Sequence, residues 1–331
     1  MSIVVVAGGS GDLGRLIVEA LFETGKHEVY VLSRGSPEDA PERVSPLTGK
    51  AYVPFIQTDY SSTDALTESL DIRGVEVVIC AFSLRNDSAC NAQLQLIQAA
   101  DHTSSVKRFI PSEFNIDYDL GDAVPYSNKR FHLAGRRALE KTSLEFSYIY
   151  PGMFMDYYGI PKFETLLRPL CFFIDPLNQV AVLPDDGEAN MSMSLTTDVA
   201  RYTALALDLD KWPRVMTTTA STVTLKGLVH LFEKHTGHAF KVEYQPVSKF
   251  LEHNSMLLPE NGAIAERFPQ RFPGGLKQLR ALIADLEASV ALGAYDLDKI
   301  EGQLNLAEAF EGGTAPPTRI EDLMKTAWGT N

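Results

Sequence analysis

Apolar residues alternate from the first turn of the chain between short continuous runs and stretches of helical period. Ile3 to Ala7 is unbroken apolar sequence, and Leu13, Leu16, Ile17, Ala20 and Leu21 then recur at helical spacing. This predicts a buried strand followed by a helix lying on it. The same alternation continues, with strands predicted at 28–32, 51–58, 75–82, 106–110 and 145–150, and helices at 63–70, 89–100 and 128–141. Strands joined by helical crossovers imply a parallel sheet covered on both faces.

The predicted fold class is therefore α/β, a doubly wound parallel sheet, with a smaller α+β region behind it. Residues 1–152 are read as one domain and 153–331 mainly as a second, with segments at about 180–220 returning to the sheet. Beyond Pro151 the alternation loosens. Short strands are expected at 180–183 and 191–195 around the turn Pro184-Asp185-Asp186-Gly187, and a further strand at 214–218. Thr197 is read as the cap of a helix opened by Asp198 and running to about Leu209. Leu225, Leu228, Val229 and Phe232 form one helix face that stops at Gly237. Residues 259–275 read as a loop and 276–294 as a long amphipathic helix.

Between the first strand and its helix the chain reads GGSGDLG, Gly8 to Gly14. A tight turn at Gly9, close backbone approach at Gly11 and an absent side chain at Gly14 are what a dinucleotide pyrophosphate requires, and Gly8 adds room. Gly8, Gly9, Ser10, Gly11, Asp12, Leu13 and Gly14 are the predicted cradle, with the anion on the first amides of the helix. The second strand ends in Ser33 and Arg34, where an NAD enzyme would place an acid; Asp39 and Glu42 lie too far into the next loop to serve. A guanidinium matches a 2′-phosphate, so the expected cofactor is NADPH. Asp59, Phe82, Ser83 and Pro111 fall at or just after other strand ends and should line the same crevice.

Composition narrows the partners. A net charge of −13 disfavours nucleic acid. The longest apolar candidate for a span, 166–174, is broken by Arg168 and Pro169, so no membrane segment is expected. Cys80, Cys90 and Cys171 show no paired spacing and read as reduced thiols of a cytoplasmic protein, and Met1-Ser2 leads straight into a strand without a cleavable leader. His235 and His238 straddle a helix end with no thiol or carboxylate cluster, so no metal is assigned. A monomer or a homodimer is equally compatible.

The chain resembles the isoflavone-reductase-like and NmrA-like branch of the atypical short-chain dehydrogenases. The resemblance rests on GGSGDLG, on VLSR at Val31 to Arg34, on KRFIPSEF at Lys107 to Phe114 and on RRALE at Arg136 to Glu140. SYIYPGMFMDYY at Ser147 to Tyr158, LPDDG at Leu183 to Gly187 and TLKGLVHLFEKHTG at Thr224 to Gly237 extend it. It implies a Rossmann domain with a small carboxyl-terminal substrate domain, NADPH, and reduction of aromatic secondary metabolites. In the reductase branch a catalytic lysine lies one helical turn before the arginine pair; here that place holds His132, and Lys129 sits a turn earlier on the same face. Tyr126 is followed four residues later by Arg130 rather than lysine, so the tyrosine–lysine arrangement is absent.

Hydride addition leaves negative charge on its acceptor and calls for a proton donor. Lys129, His132 and Tyr126 are the candidates, Lys129 also as a clamp on the cofactor ribose. Glu113 could orient Lys129 or a water. Phe114, Met153, Phe154, Tyr157 and Tyr158 supply apolar walls for a flat aromatic or polyketide-like substrate, although core packing explains Phe154 as well. Two functions stay open at this point: an NADPH-dependent reductase, or an NmrA-type redox sensor that binds NADP(H) without turnover.

Overall fold

Six parallel strands in the order Phe55–Gln57, Glu28–Ser33, Ile3–Ala7, Val77–Cys80, Arg108–Ile110 and Glu145–Phe146 form the main sheet of the computed structural model, which describes residues 1–35, 41–126 and 128–329. The apolar runs have a direct cause. Val5, Ala7, Val78, Cys80 and Phe109 face one core, with Leu66, Leu70, Leu96, Ile97 and Leu139 from the helices Thr63–Asp71, Asp87–His102 and Lys129–Leu139. Val4, Val6, Val77, Ile79 and Ile110 face the other, with Ile17, Val18 and Leu21 of the helix Asp12–Glu23 and Tyr202 and Ala204 of the helix Thr196–Leu205. A strand buried on both faces cannot alternate with polar residues.

The six-stranded sheet ends at Phe146, and the chain passes directly into a second, three-stranded one. Ser147 interrupts the ladder, and Tyr148–Tyr150 then pairs in parallel with Val215–Thr217, which pairs in parallel with Leu304–Asn305. The helix Thr196–Leu205 covers the main sheet beside the helix Asp12–Glu23. Val180–Pro184 lies between Ile174–Asp175 and Lys241–Gln245, and Asn190–Ser194 between Met153–Phe154 and Ser221–Thr224. These small sheets pack with the helices Leu225–Thr236, Glu260–Arg267, Gly275–Ala291 and Ile320–Trp328 around a second core that includes Phe172, Phe173, Phe232, Ile283 and Trp328.

Local differences from the sequence expectation have local causes. The strand read at 51–58 is two: Ala51–Tyr52 pairs antiparallel with Arg43–Val44, and Phe55–Gln57 pairs with Val31–Ser33. Pro54 between them has no N–H to continue a ladder. The helix read as capped by Thr197 starts at Thr196 after Leu195 and ends at Leu205, followed by one 3₁₀ turn, Ala206–Asp208. Asp198 sits in its first turn and accepts from the Thr318 amide at 2.7 Å and from Arg201 at 2.6 Å. The stretch read as loop at 259–275 contains Glu260–Arg267, held down by buried Ile264 and Ala265 and by the Asn261 amide on the Cys171 carbonyl at 2.9 Å. Gly237 does stop its helix in the left-handed region, at φ +71°. Asp39 lies outside the described residues. Among the described residues no helix is long and apolar enough to cross a membrane.

Candidate active site

Ile3–Ala7 and Val77–Cys80 flank the point where strand order reverses, and ligands of open α/β sheets bind outside the carboxyl ends there. Gly8 turns the chain at φ +79°, and a Cβ on it would lie 3.0 Å from the Ala81 carbonyl oxygen. Its N–H donates to the Leu32 carbonyl at 3.1 Å, and that of Gly11 donates back to Gly8 at 2.9 Å. Gly14 is the most constrained: a Cβ there would stand 2.1 Å from the Gly8 oxygen. Buried Gly9 would meet Val18 at 3.0 Å. Only glycine lets the helix sit this close to the turn.

The helix Asp12–Glu23 has Gly11 as its N-cap residue and no side-chain cap, whereas Ser62 and Asn86 cap the next two helices through Ala65 and Ala89. The amides of Asp12, Leu13 and Gly14 are first-turn donors without an intrahelical acceptor. Outside Gly11 the space is open, its Cβ position having only the Gly8 oxygen nearby, at 3.2 Å. A pyrophosphate fits such a cradle, by hydrogen bonding and by the sign of the helix dipole. Ser33 Oγ lies 3.2 Å from Ser10 Oγ and joins the end of strand Glu28–Ser33 to the turn. Arg34 follows, exposed, with no ion-pair partner among the described residues. Exposed Asp59 accepts from the Ser61 hydroxyl at 2.7 Å and amide at 2.8 Å, and these bonds hold its carboxyl below the usual range. Tyr60, absent from the sequence reading, floors this corner. Its hydroxyl donates to Leu32 at 2.6 Å and its ring meets Phe82 edge-on at 5.1 Å. Ser83 is exposed beside it, while Pro111 is buried at the next strand end.

Past Ile110 the chain carries Glu113, which is 0% exposed, and the structure gives it partners other than Lys129. One carboxylate oxygen takes His132 Nδ1 at 2.9 Å; the other takes Arg136 Nε at 2.9 Å and Nη2 at 2.5 Å. Arg136 also reaches Asp117 at 2.5 Å and the Tyr150 hydroxyl at 2.9 Å. Burial alone would lower its guanidinium, yet Glu113, Tyr150 and Asp117 together hold it above the ordinary arginine value. Since an ionised carboxylate only accepts, His132 carries its proton on Nδ1 when neutral, and Nε2 is left with no partner among the described residues. Lys129 points elsewhere: its Nζ donates to the Gly121 carbonyl and lies 3.8 Å from Asp122. Helical spacing puts both residues on one face; their side chains diverge at the amino end, where Lys129 is the first helical residue.

Tyr126 belongs to a polar knot that the sequence did not disclose. The Asn115 amide donates to the hydroxyls of Tyr118 at 2.9 Å and Tyr126 at 2.8 Å, and its oxygen accepts from Tyr295 at 2.9 Å. Burial raises all three phenols above their ordinary value, so each keeps its proton. The Tyr118 ring stacks on His132 with centroids 3.7 Å apart, which fixes the imidazole plane. Of the residues expected as apolar walls, Phe114 is half-buried against the sheet and Met153 and Phe154 pair with Met193 and Ser194 in a small sheet. Tyr157 and Tyr158 line a cavity of about 180 Å³ together with Pro169, Leu170 and Phe172.

Known proteins agree with this architecture. Oxidoreductase swnN of Metarhizium robertsii is 28% identical over 99% of this chain and 98% of its own length. The isoflavone reductase homolog IRL of Zea mays is 30% identical over 75% of this chain and 79% of its own. The binary complex of leucoanthocyanidin reductase and NADPH from Vitis vinifera superposes with a TM-score of 0.68 at 16% identity, over 97% of this chain and 98% of that one, a likeness of fold. With the NmrA-like family model matching residues 1–293, this chain belongs to the NmrA-like family.

Proposed function

We propose that this protein is an NADPH-dependent reductase of a C=C, C=O or C=N bond in a small aromatic or polyketide-like molecule. One observation carries the reading: an imidazole held by a buried carboxylate, its outer nitrogen without a partner among the described residues, follows the same sheet edge as an uncapped glycine turn. A protein that only sensed the dinucleotide would need the turn and not the imidazole. The relatives named as oxidoreductase and isoflavone reductase homolog, and the related fold bound to NADPH, support it.

Bound NADPH would supply the hydride. The first-turn amides of Asp12, Leu13 and Gly14 would hold its pyrophosphate, and Arg34 would meet its 2′-phosphate with Ser10 and Ser33 beside it. Phe82, Ser83 and Pro111 flank the path from the turn toward His132. His132, protonated, delivers the Nε2 proton to the substrate atom on which negative charge develops, and recovers it from solvent. Glu113 stabilises the imidazolium before transfer and keeps the ring oriented after it, and Tyr118 prevents the ring from tipping. Lys129, bound to Gly121, anchors the loop before the helix.

The test is calorimetric titration of NADPH and NADH, followed by NADPH oxidation across a panel of enones, ketones and imines. NADPH should bind at least tenfold more tightly than NADH, and Arg34→Ala should remove that preference. Tight binding of NADPH and NADP⁺ with no oxidation by any panel member would favour the sensor instead.

A further inference from the structure

Two contacts hold the His132 ring: Nδ1 meets Glu113 at 2.9 Å, and one face meets Tyr118 with centroids 3.7 Å and planes 17° apart. A single hydrogen bond fixes a direction but leaves the ring free to turn about it. The stack removes that freedom only as far as the Tyr118 ring is itself held. Tyr118 lies in a loop, outside any helix or strand, and it is pinned at its far end, where Asn115 Nδ2 donates to the hydroxyl at 2.9 Å. The same amide nitrogen donates to Tyr126 at 2.8 Å, whose ring meets that of Tyr118 edge-on at 5.0 Å. Asn115 Oδ1 takes the Tyr295 hydroxyl at 2.9 Å. Both ends of the Asn115 amide are thus spent on phenols, and a buried polar network satisfied in this way holds its members in one arrangement.

The network is anchored outside the loop that carries it. Tyr295 belongs to the second core, fully buried, and its carbonyl accepts from the Ser192 amide at 2.8 Å. Ser289, buried on the helix Gly275–Ala291, donates to the Pro125 carbonyl at 2.8 Å, next to Tyr126. The Asn115 backbone is fixed as well: its N–H donates to the Glu113 carbonyl at 2.8 Å and its carbonyl accepts from Gly152 at 2.9 Å. The carboxyl-terminal half therefore grips the loop 113–126 at Asn115 and at Pro125, and it reaches the imidazole through Asn115 and Tyr118.

We propose that Asn115 is a positioning residue for proton transfer from His132: through Tyr118 it sets the plane in which Nε2 is presented, and through Tyr295 it ties that plane to the carboxyl-terminal half. The inference deepens the reductase reading and rests on it for turnover, while the position of the ring is read without any substrate. Asn115→Leu, Asn115→Asp and Tyr295→Phe are compared with the wild-type full chain in two measurements. Lying against the Tyr118 face, the His132 ring C–H protons resonate upfield in the proton spectrum, where they are assigned by their loss in His132→Gln. Asn115→Leu should return them toward ordinary histidine positions. It should also lower kcat about 10- to 100-fold, as a displaced reacting group does, with KM and calorimetric affinity for NADPH within about twofold of wild type. Asn115→Asp should restore most of both, because three buried phenols that keep their protons can donate to a carboxylate. Tyr295→Phe removes one hydroxyl remote from the ring and should move both readouts the same way by less; it carries the test alone if Asn115→Leu does not fold. Ring protons that stay in place in the folded variants, a kcat that holds while they move, or Asn115→Asp no better than Asn115→Leu would overturn the proposal. NADPH binding with no turnover on any panel member would instead sink the reductase reading and leave the proton spectrum to decide how the ring is held.

Discussion

Replacing Glu113 by glutamine keeps the shape of the side chain and changes what its two terminal atoms can do. The wild-type carboxylate is fully buried and accepts from His132 Nδ1 at 2.9 Å and from Arg136 at 2.9 and 2.5 Å. A glutamine can offer its one oxygen to Arg136, the stronger donor, and must then present an N–H to His132. Removing one member of a buried ion pair costs about 3–5 kcal/mol. Arg136 keeps Asp117 at 2.5 Å and Tyr150 at 2.9 Å, which brings the expected cost to about 2–4 kcal/mol. A melting temperature lower by about 3–6 °C should register it. The amide also forces neutral His132 to accept at Nδ1 and carry its proton on Nε2, a change of tautomer that long-range ¹H–¹⁵N correlation spectra of the imidazole read directly. Turnover on any substrate found should drop about 10²- to 10⁴-fold, the usual contribution of a placed proton donor. A variant that melts within 1 °C of wild type and still shows the proton on Nδ1 would refute the assignment of these three side chains.

Gly14→Ala puts a Cβ 2.1 Å from the Gly8 oxygen and must push the turn off the helix. It should cost about 1–3 kcal/mol by overpacking and weaken NADPH binding in titration far more than it lowers the melting temperature. Lys129→Ala should leave NADPH affinity and turnover within a few-fold of wild type, because the ammonium is held by Gly121 and Asp122, whereas His132→Ala should abolish turnover; the two variants assayed side by side distinguish them. Burial raises the Glu287 carboxyl from 4.5 to about 8, against hydrogen bonds from Ser255 and the Phe173 amide. The folded state therefore holds a proton that the unfolded chain releases above its ordinary value. Its contribution is fully present below about pH 4.5 and is lost as pH rises toward 8, at most about 5 kcal/mol in all. Glu287→Gln should flatten the fall of melting temperature between pH 5 and 8, and an unchanged slope would contradict the burial argument.

Much of the proposed phosphate end is written locally in the sequence, because its requirements are local. Gly8, Gly9, Gly11 and Gly14 sit within seven residues, and Arg34 is fixed by the end of one strand. The proposed catalytic end was only half readable. His132 was visible from its helical spacing to Arg136, but Glu113 could have served any of several partners until the fold brought it under both. Asn115, Tyr118 and Tyr295 escaped altogether, since the bond between Asn115 and Tyr295 closes a loop of 180 residues and no periodicity signals it. The helix Glu260–Arg267 was lost for the opposite reason. It is too short and too near prolines and glycines for its period to stand out, and only contacts with Cys171 and the second core make it a helix.

The strand Leu304–Asn305 lies beside Val215–Thr217 in the three-stranded sheet that Tyr148–Tyr150 joins directly to the main one, after the chain has built its second core. The two halves are thus stitched together at several places rather than hung from one linker. Cutting after residue 152 would strip the amino-terminal half of two strands and of the helix Thr196–Leu205 that shields Ile17 and Leu21. A molecule approaching the strand ends first meets the loops above them, among which 111–126 carries Glu113, Asn115 and Tyr126.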